Sequence, residues 1–154
     1  MAETLGSLCD KLTIVKLKQW HTEEPDRLAS LQKQQLHLEK EIDDFVEGAF
    51  QGVIDPERLT FAANKVYKKE GNQIADVAGK IGEVFAELAS VNCELWHEQE
   101  KVYAFESVPA RQKDGVVKAL AHLNLRRNRC IDAIDQALLA MVKNHHRQES
   151  ENFG

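Results

Sequence analysis

Apolar positions recur along this chain at helical spacing rather than strand spacing. The clearest run is Ile74, Val77, Ile81, Val84, Leu88, Val91, Leu95 and Val102, whose three-four intervals predict one long helix over 73–105. Over residues 4–22, Leu5, Leu8, Leu12 and Val15 form one stripe. Ile14 and Leu17 fall on the opposite side, in line with Asp10, Thr13, His21 and Glu24. A helix apolar on two sides is sandwiched between neighbours, so Asp10 and His21 are expected away from bulk water. Residues 26–48 carry Leu28, Leu31, Leu38, Ile42 and Phe45 on a seam that also holds Gln35 and Glu39. A last helix over 109–144 has the seam Val116, Leu120, Leu123, Ile131, Ile134, Leu138 and Met141.

The breaks between these runs have their own chemistry. Glu24-Pro25-Asp26 ends one helix and starts the next, because proline disfavours a helical residue before it and suits a first helical turn. Gly48 to Asp55 reads as a loop, with Asp55 as N-cap and Pro56 opening a short helix over 56–69. Lys65, Lys68 and Lys69 give that helix a basic face, and Glu70-Gly71-Asn72 is its stop or kink. Ser107 and Pro109 open the last helix, and the polar tail 145–154 is expected to fray. The reading is an all-α bundle in one domain: four long, largely antiparallel helices plus one short one. Hairpin one covers about 4–48, a connector 49–72, and hairpin two about 73–144.

Composition agrees with this and narrows function. The chain has 154 residues, 43% of them apolar, enough for one domain with its own core. A formal charge of −5 argues against a general nucleic-acid binder, which needs a clustered basic face. Cys9, Cys93 and Cys130 lie in helical stretches without Cys-x-x-Cys spacing, as reduced thiols of a cytoplasmic protein would. Neither a signal peptide nor a membrane span is read from the sequence.

Two phrases carry candidate chemistry. Both tryptophans are followed by histidine, in Trp20-His21-Thr22-Glu23-Glu24 and Trp96-His97-Glu98-Gln99-Glu100. Each phrase sits near the end of a long helix that precedes a proline-started one carrying an Ile-Asp pair, Ile42-Asp43 and Ile134-Asp135. This predicts two hairpins related by a pseudo-two-fold. Arg127 is the second oddity, nearly central in the last apolar seam with Asn124, Asn128 and Asp135 along one edge. A guanidinium there requires a carboxylate, and Asp10, Glu39, Glu24 and Glu100 are the candidates. One reading is a closed network that fixes helix register. The other is a polar pocket in which His21, His97 and Arg127 bind a small anionic or polyhydroxyl ligand, with Asp10, Glu24, Glu100 and Asn124 around it.

A resemblance adds context. Asp10-Lys11-Leu12-Thr13-Ile14 with Lys16, Lys18, Trp20-His21 and Glu23-Glu24 is one motif block. Leu123-Asn124, Arg127-Asn128, Ile131-Asp132 and Ile134-Asp135 form the other. Together they resemble a bacterial all-helical family of uncharacterised domains, often encoded near lipopolysaccharide or other glycan glycosyltransferases. The resemblance implies service to envelope glycan assembly and no catalytic residue.

Three functions therefore compete. The first is a non-catalytic binding or accessory module without a cofactor, forming a homodimer through the small residues Ala86, Ser90 and Cys93 beside His97. The second is a dimetal bundle using the Glu-x-x-His step Glu94 and His97, although its counterpart in the first phrase is Lys18 and His21. The third is a helical nucleotide pyrophosphatase built on Asp132, Asp135 and the acids at 39–44, which lack the paired Glu-x-x-Glu pattern.

Overall fold

A computed structural model describes residues 2–61 and 79–153. Among the described residues there is no strand. Four long helices form the bundle: α1 (Leu5–Trp20), α2 (Pro25–Gln51), α3 (Ile81–Tyr103) and α4 (Ala110–Phe153). No described helix is long and apolar enough to cross a membrane.

Helix starts follow local chemistry. Thr4 caps α1 by accepting the Ser7 N–H at 3.3 Å, while Ser7 Oγ accepts the Thr4 N–H at 2.8 Å. This reciprocal box satisfies two amides that the first turn leaves open. Pro25 opens α2 as its sequence predicts, and Gly52 closes it in the left-handed region at φ 78°. α2 therefore runs through Gly48 to Gln51, past the predicted end at 48, because Gly52 supplies the stop. Asp55 caps as expected, its carboxylate accepting the Glu57 N–H at 2.9 Å, and the described part of the predicted 56–69 helix is a 3-10 turn at Pro56–Arg58. The remainder of that helix, with Lys65, Lys68 and Lys69, lies outside the described residues, as do Ile74 and Val77. α3 begins at Ile81, since Lys80 is extended and Gly79 has φ 143°.

α4 departs most from expectation. It continues to Phe153 instead of fraying at 144. Side-chain pairs support the extra turns: His145 lies 3.1 Å from Glu149, and Arg147 donates to Asn144 at 2.7 Å. A ring nitrogen of His146 meets the Phe50 carbonyl at 2.9 Å, supplying a donor to one of the open carbonyls ending α2.

α1 touches each of the other three long helices, and α3 packs along α4. Pairings fix the directions. Gly6 meets Asp135 and Asp10 meets Arg127, so α1 and α4 are antiparallel; Asp10 meets Asn92 and His21 meets Trp96, so α1 and α3 run in one sense. The core joins Leu5 and Cys9 of α1, Ala49 of α2, Val84, Leu88 and Val91 of α3, and Cys130, Ile134, Leu138 and Val142 of α4. The α4 seam differs from the predicted one at its end, where Val142 is buried and Met141 is 46% exposed. A 130–134–138–142 row drifts around the helix, which rotates the seam past Met141.

α1 is sandwiched as its two apolar faces imply. Leu5, Leu8 and Val15 are buried, and so are Gly6, Cys9 and Asp10. At Gly6 the approach of α4 is closest: a Cβ there would overlap the Ile131 carbonyl oxygen and lie 2.9 Å from Asp135 Oδ1. Gly6→Ala should therefore force α1 and α4 apart and cost about 1–3 kcal/mol in urea unfolding, the usual penalty of overpacking. An unchanged midpoint would contradict the close approach.

Candidate functional site

The site begins at one buried carboxylate. Asp10, 5% exposed, faces out of α1 between α3 and α4. Arg127 of α4 grips it with two nitrogens, Nε to Oδ1 at 2.8 Å and Nη2 to Oδ2. Asn92 of α3, fully buried, donates its amide to the same Oδ1 at 3.0 Å and to Thr13 Oγ at 2.7 Å. Thr13 Oγ in turn donates to the Asp10 carbonyl at 2.7 Å. A two-point guanidinium–carboxylate pair is among the stronger polar contacts available to a protein. The bond to Asp10 raises the Arg127 pKa from an already high value, so this guanidinium is always charged.

The neighbouring arginine turns elsewhere. Arg126 holds Glu87 of α3 through Nε at 2.9 Å and Nη2 at 2.6 Å on the exposed side. Successive α4 residues thus tie it to two different helices, as a 100° step allows.

A second buried carboxylate lies two turns along α4. Asp135 accepts the Gly6 N–H at 2.7 Å and is held by Thr4 at the head of α1. Burial pushes its pKa up to about 6, against these two bonds, and Asp132 nearby adds to the rise. Cys9, desolvated and close to Asp135 and Asp10, is pushed up to about 12, and burial takes Cys130 to about 11. Neither thiol is a thiolate nucleophile at neutral pH. All three cysteines are unpaired, and Cys93 is exposed.

Of the predicted ligand residues, Asp10 and Arg127 come together in one buried pair, and His97 and Glu100 lie side by side on the exposed face of α3. His21 is exposed, contrary to expectation, because it lies one residue beyond α1 as the cap. Its ring stacks on Trp96 at 4.6 Å and 22°, and its Nδ1 meets the Leu17 carbonyl at 2.8 Å. The two Trp-His phrases therefore touch, but away from Arg127. His97 is exposed, 4.0 Å from Glu100, whose other oxygen accepts the Trp96 indole N–H at 3.0 Å. Glu24 is exposed at the start of α2, 4.0 Å from Arg27, and Asn124 is exposed on α4. Glu39 is exposed and accepts from Gln35 at 2.8 Å, so it is no partner of Arg127.

Two clefts flank these groups. One, about 690 Å³, lies at the α3–α4 turn, with His97, Glu100 and Lys101 on one side and Ser107 and Gln112 on the other. The other, about 370 Å³, contains Asp10 and Arg127 and is walled by Lys11, Ile14, Val15 and Lys18 of α1 and Gln34, His37 and Leu38 of α2. The histidine that lines this cleft with Arg127 is therefore His37, which lies off the apolar seam of α2.

Glu94 and His97 are both exposed on α3, and among the described residues no three His, Cys, Asp or Glu side chains gather to hold a metal. Asp135 is engaged with α1, and Asp44 is paired with Lys40 at 2.6 Å. No protein-family model, curated protein or solved structure matches the chain.

Two measurements test this account. In the Asp135 carboxyl the folded pKa lies above the ordinary value of 3.8, so the folded chain holds the extra proton between about pH 4 and 6. Stability from this group is then present at low pH and lost as pH rises through 6. Asp135→Asn should gain about 2–3 kcal/mol relative to wild type between pH 4 and pH 7. A difference independent of pH would rule this out. For the other carboxylate, a double-mutant cycle of Asp10→Ala and Arg127→Ala should give about 1–3 kcal/mol of coupling in chemical denaturation. Additive losses would mean the pair does not hold α1 to α4.

Proposed function

We propose that this protein is a non-catalytic, cytoplasmic helical binding module that takes a small anion in the cleft beside Arg127. One observation carries the reading. Arg127 is anchored at its buried end yet leaves a third of its side chain open, in a cleft that also contains Lys11 and Lys18. A guanidinium serving only to fix helix register is best closed off, since water weakens its pairing. The network around Asp10 supports the cleft from behind, holding the cation where a ligand meets it at no further ordering cost.

Absence of catalysis is part of the proposal and is supported by the chemistry in the cleft. Its carboxylate, Asp10, is already held by two nitrogens of Arg127 and by Asn92, which leaves it poorly placed as a base. The three unpaired cysteines suit a reducing compartment. Service to bacterial envelope glycan assembly is proposed from the likeness of the two motif blocks, whose Asp10 and Arg127 meet in this pair.

A thermal-shift panel of small anions, neutral sugars and nucleotides, at constant ionic strength, tests it. A bound anion at tenfold excess over Kd should add about 1.4 kcal/mol, a Tm rise of roughly 3–6 °C for a chain of this size. Lys18→Glu, an exposed change, should remove the rise. Equal responses from wild type and variant, or a response to neutral sugars alone, would defeat the anion reading.

A further inference from the structure

The donors in the cleft differ in kind and direction, and this narrows the anion. Lys11, Ile14, Val15 and Lys18 are spaced i, i+3, i+4 and i+7, so one face of α1 presents two ammonium groups on either side of an apolar patch. Gln34, His37 and Leu38 repeat the pattern on α2 at i, i+3 and i+4. Arg127 enters from α4. Resting on the binding reading above, we propose that this cleft is a site for a phosphate monoester whose organic body has an apolar face.

Carboxylate fits less well, for a geometric reason. A planar carboxylate is best held by the guanidinium edge that offers two parallel N–H groups. In Arg127 that edge, Nε with Nη2, is occupied by Asp10, while Nη1 has no partner among the described residues. What remains comes singly from three helices: Nη1, the Lys11 and Lys18 ammonium groups, a His37 ring nitrogen and the Gln34 amide. Single donors supplied by three separate helices match a tetrahedral group with three terminal oxygens.

Charge and size agree. The walls carry three basic side chains, Lys11, Lys18 and Arg127, against one carboxylate, Asp10, which Arg127 already balances. Lys11 also pairs with Glu3, but both side chains are about half exposed, so the ligand competes with a weak surface contact. Lys18 has no ion-pair partner among the described residues and is the cation most available to a ligand. About 370 Å³ lies at the lower end of small-molecule sites, which suits a monoester on one small ring and not an enclosed polymer. Ile14, Val15 and Leu38 give that ring an apolar surface beside the charges.

The test uses the full chain and two probes that share a ring but differ in anion, phenyl phosphate and phenylacetate, followed by calorimetry and by phosphorus NMR for the first. Phenyl phosphate should bind at least about tenfold more tightly than phenylacetate. Lys18→Gln and His37→Gln, both exposed positions, should each weaken it by about tenfold, with the Tm of the unliganded protein unchanged. Equal affinity for the two probes, both lost in Lys18→Gln, would overturn the phosphate assignment and leave the anion reading standing. Phenyl phosphate binding that survives both substitutions would overturn the assignment to this cleft. If neither probe binds, the phosphate assignment falls, and the panel of small anions decides the broader anion reading separately.

Discussion

The bundle depends on a single buried negative charge. Asp10 sits where α1, α3 and α4 meet, and it draws a guanidinium from α4 and an amide from α3. Once desolvated, a carboxylate costs several kcal/mol unless its lone pairs are filled, and in this register Arg127 and Asn92 fill them. Apolar contacts between Leu88, Ile134 and Leu138 would tolerate sliding by a turn far better. The polar contact thus adds a directional demand that apolar packing does not make.

The two buried carboxylates facing α1 and α4 show how the same group is given different electrical roles. Asp10 meets a permanent cation. Asp135 meets neutral donors, the Gly6 amide and Thr4, and burial keeps its proton on up to about pH 6. One end of the α1–α4 contact is thus an ion pair closed by two nitrogens of one guanidinium. The other is a carboxyl whose ionisation loosens the head of α1. At Asp135 two neutral hydrogen bonds do not outweigh the cost of burial.

Much of the fold is legible in the residue pattern, because helical period and capping chemistry are local. Leu5, Leu8 and Val15, or Val84, Leu88 and Val91, need only the 3.6-residue period to be placed in the core. Arg127 and Asp10 are legible for the converse reason, as charges at apolar positions. Asn92 carried a readable signal too: it stands four residues after Leu88 and three before Leu95, on the seam itself. His37 did not. Its neighbourhood depends on how α2 is rotated against α1, a tertiary choice that the spacing within α2 leaves open. His21 and His97 misled because a repeated phrase marks likeness between two segments, and the likeness places Trp96 under His21 instead of either histidine beside Arg127. The continued α4 was hidden for a similar reason, since the Phe50 carbonyl that meets His146 lies 96 residues away in the chain.

The separation between partners has a consequence for the order in which this protein is built. Gly6 and Asp135 are 129 residues apart, and Asp10 and Arg127 are 117. At roughly 5–20 residues per second of synthesis, α1 leaves the ribosome about 6–25 s before the helix that neutralises it exists. During that interval Asp10 has no guanidinium, so α1 cannot dock in its final place with the charge intact. The hairpin with α2 can form early, but the head of α1 must wait in water, and its buried acid acts as a delay that keeps half a bundle from closing without its other half.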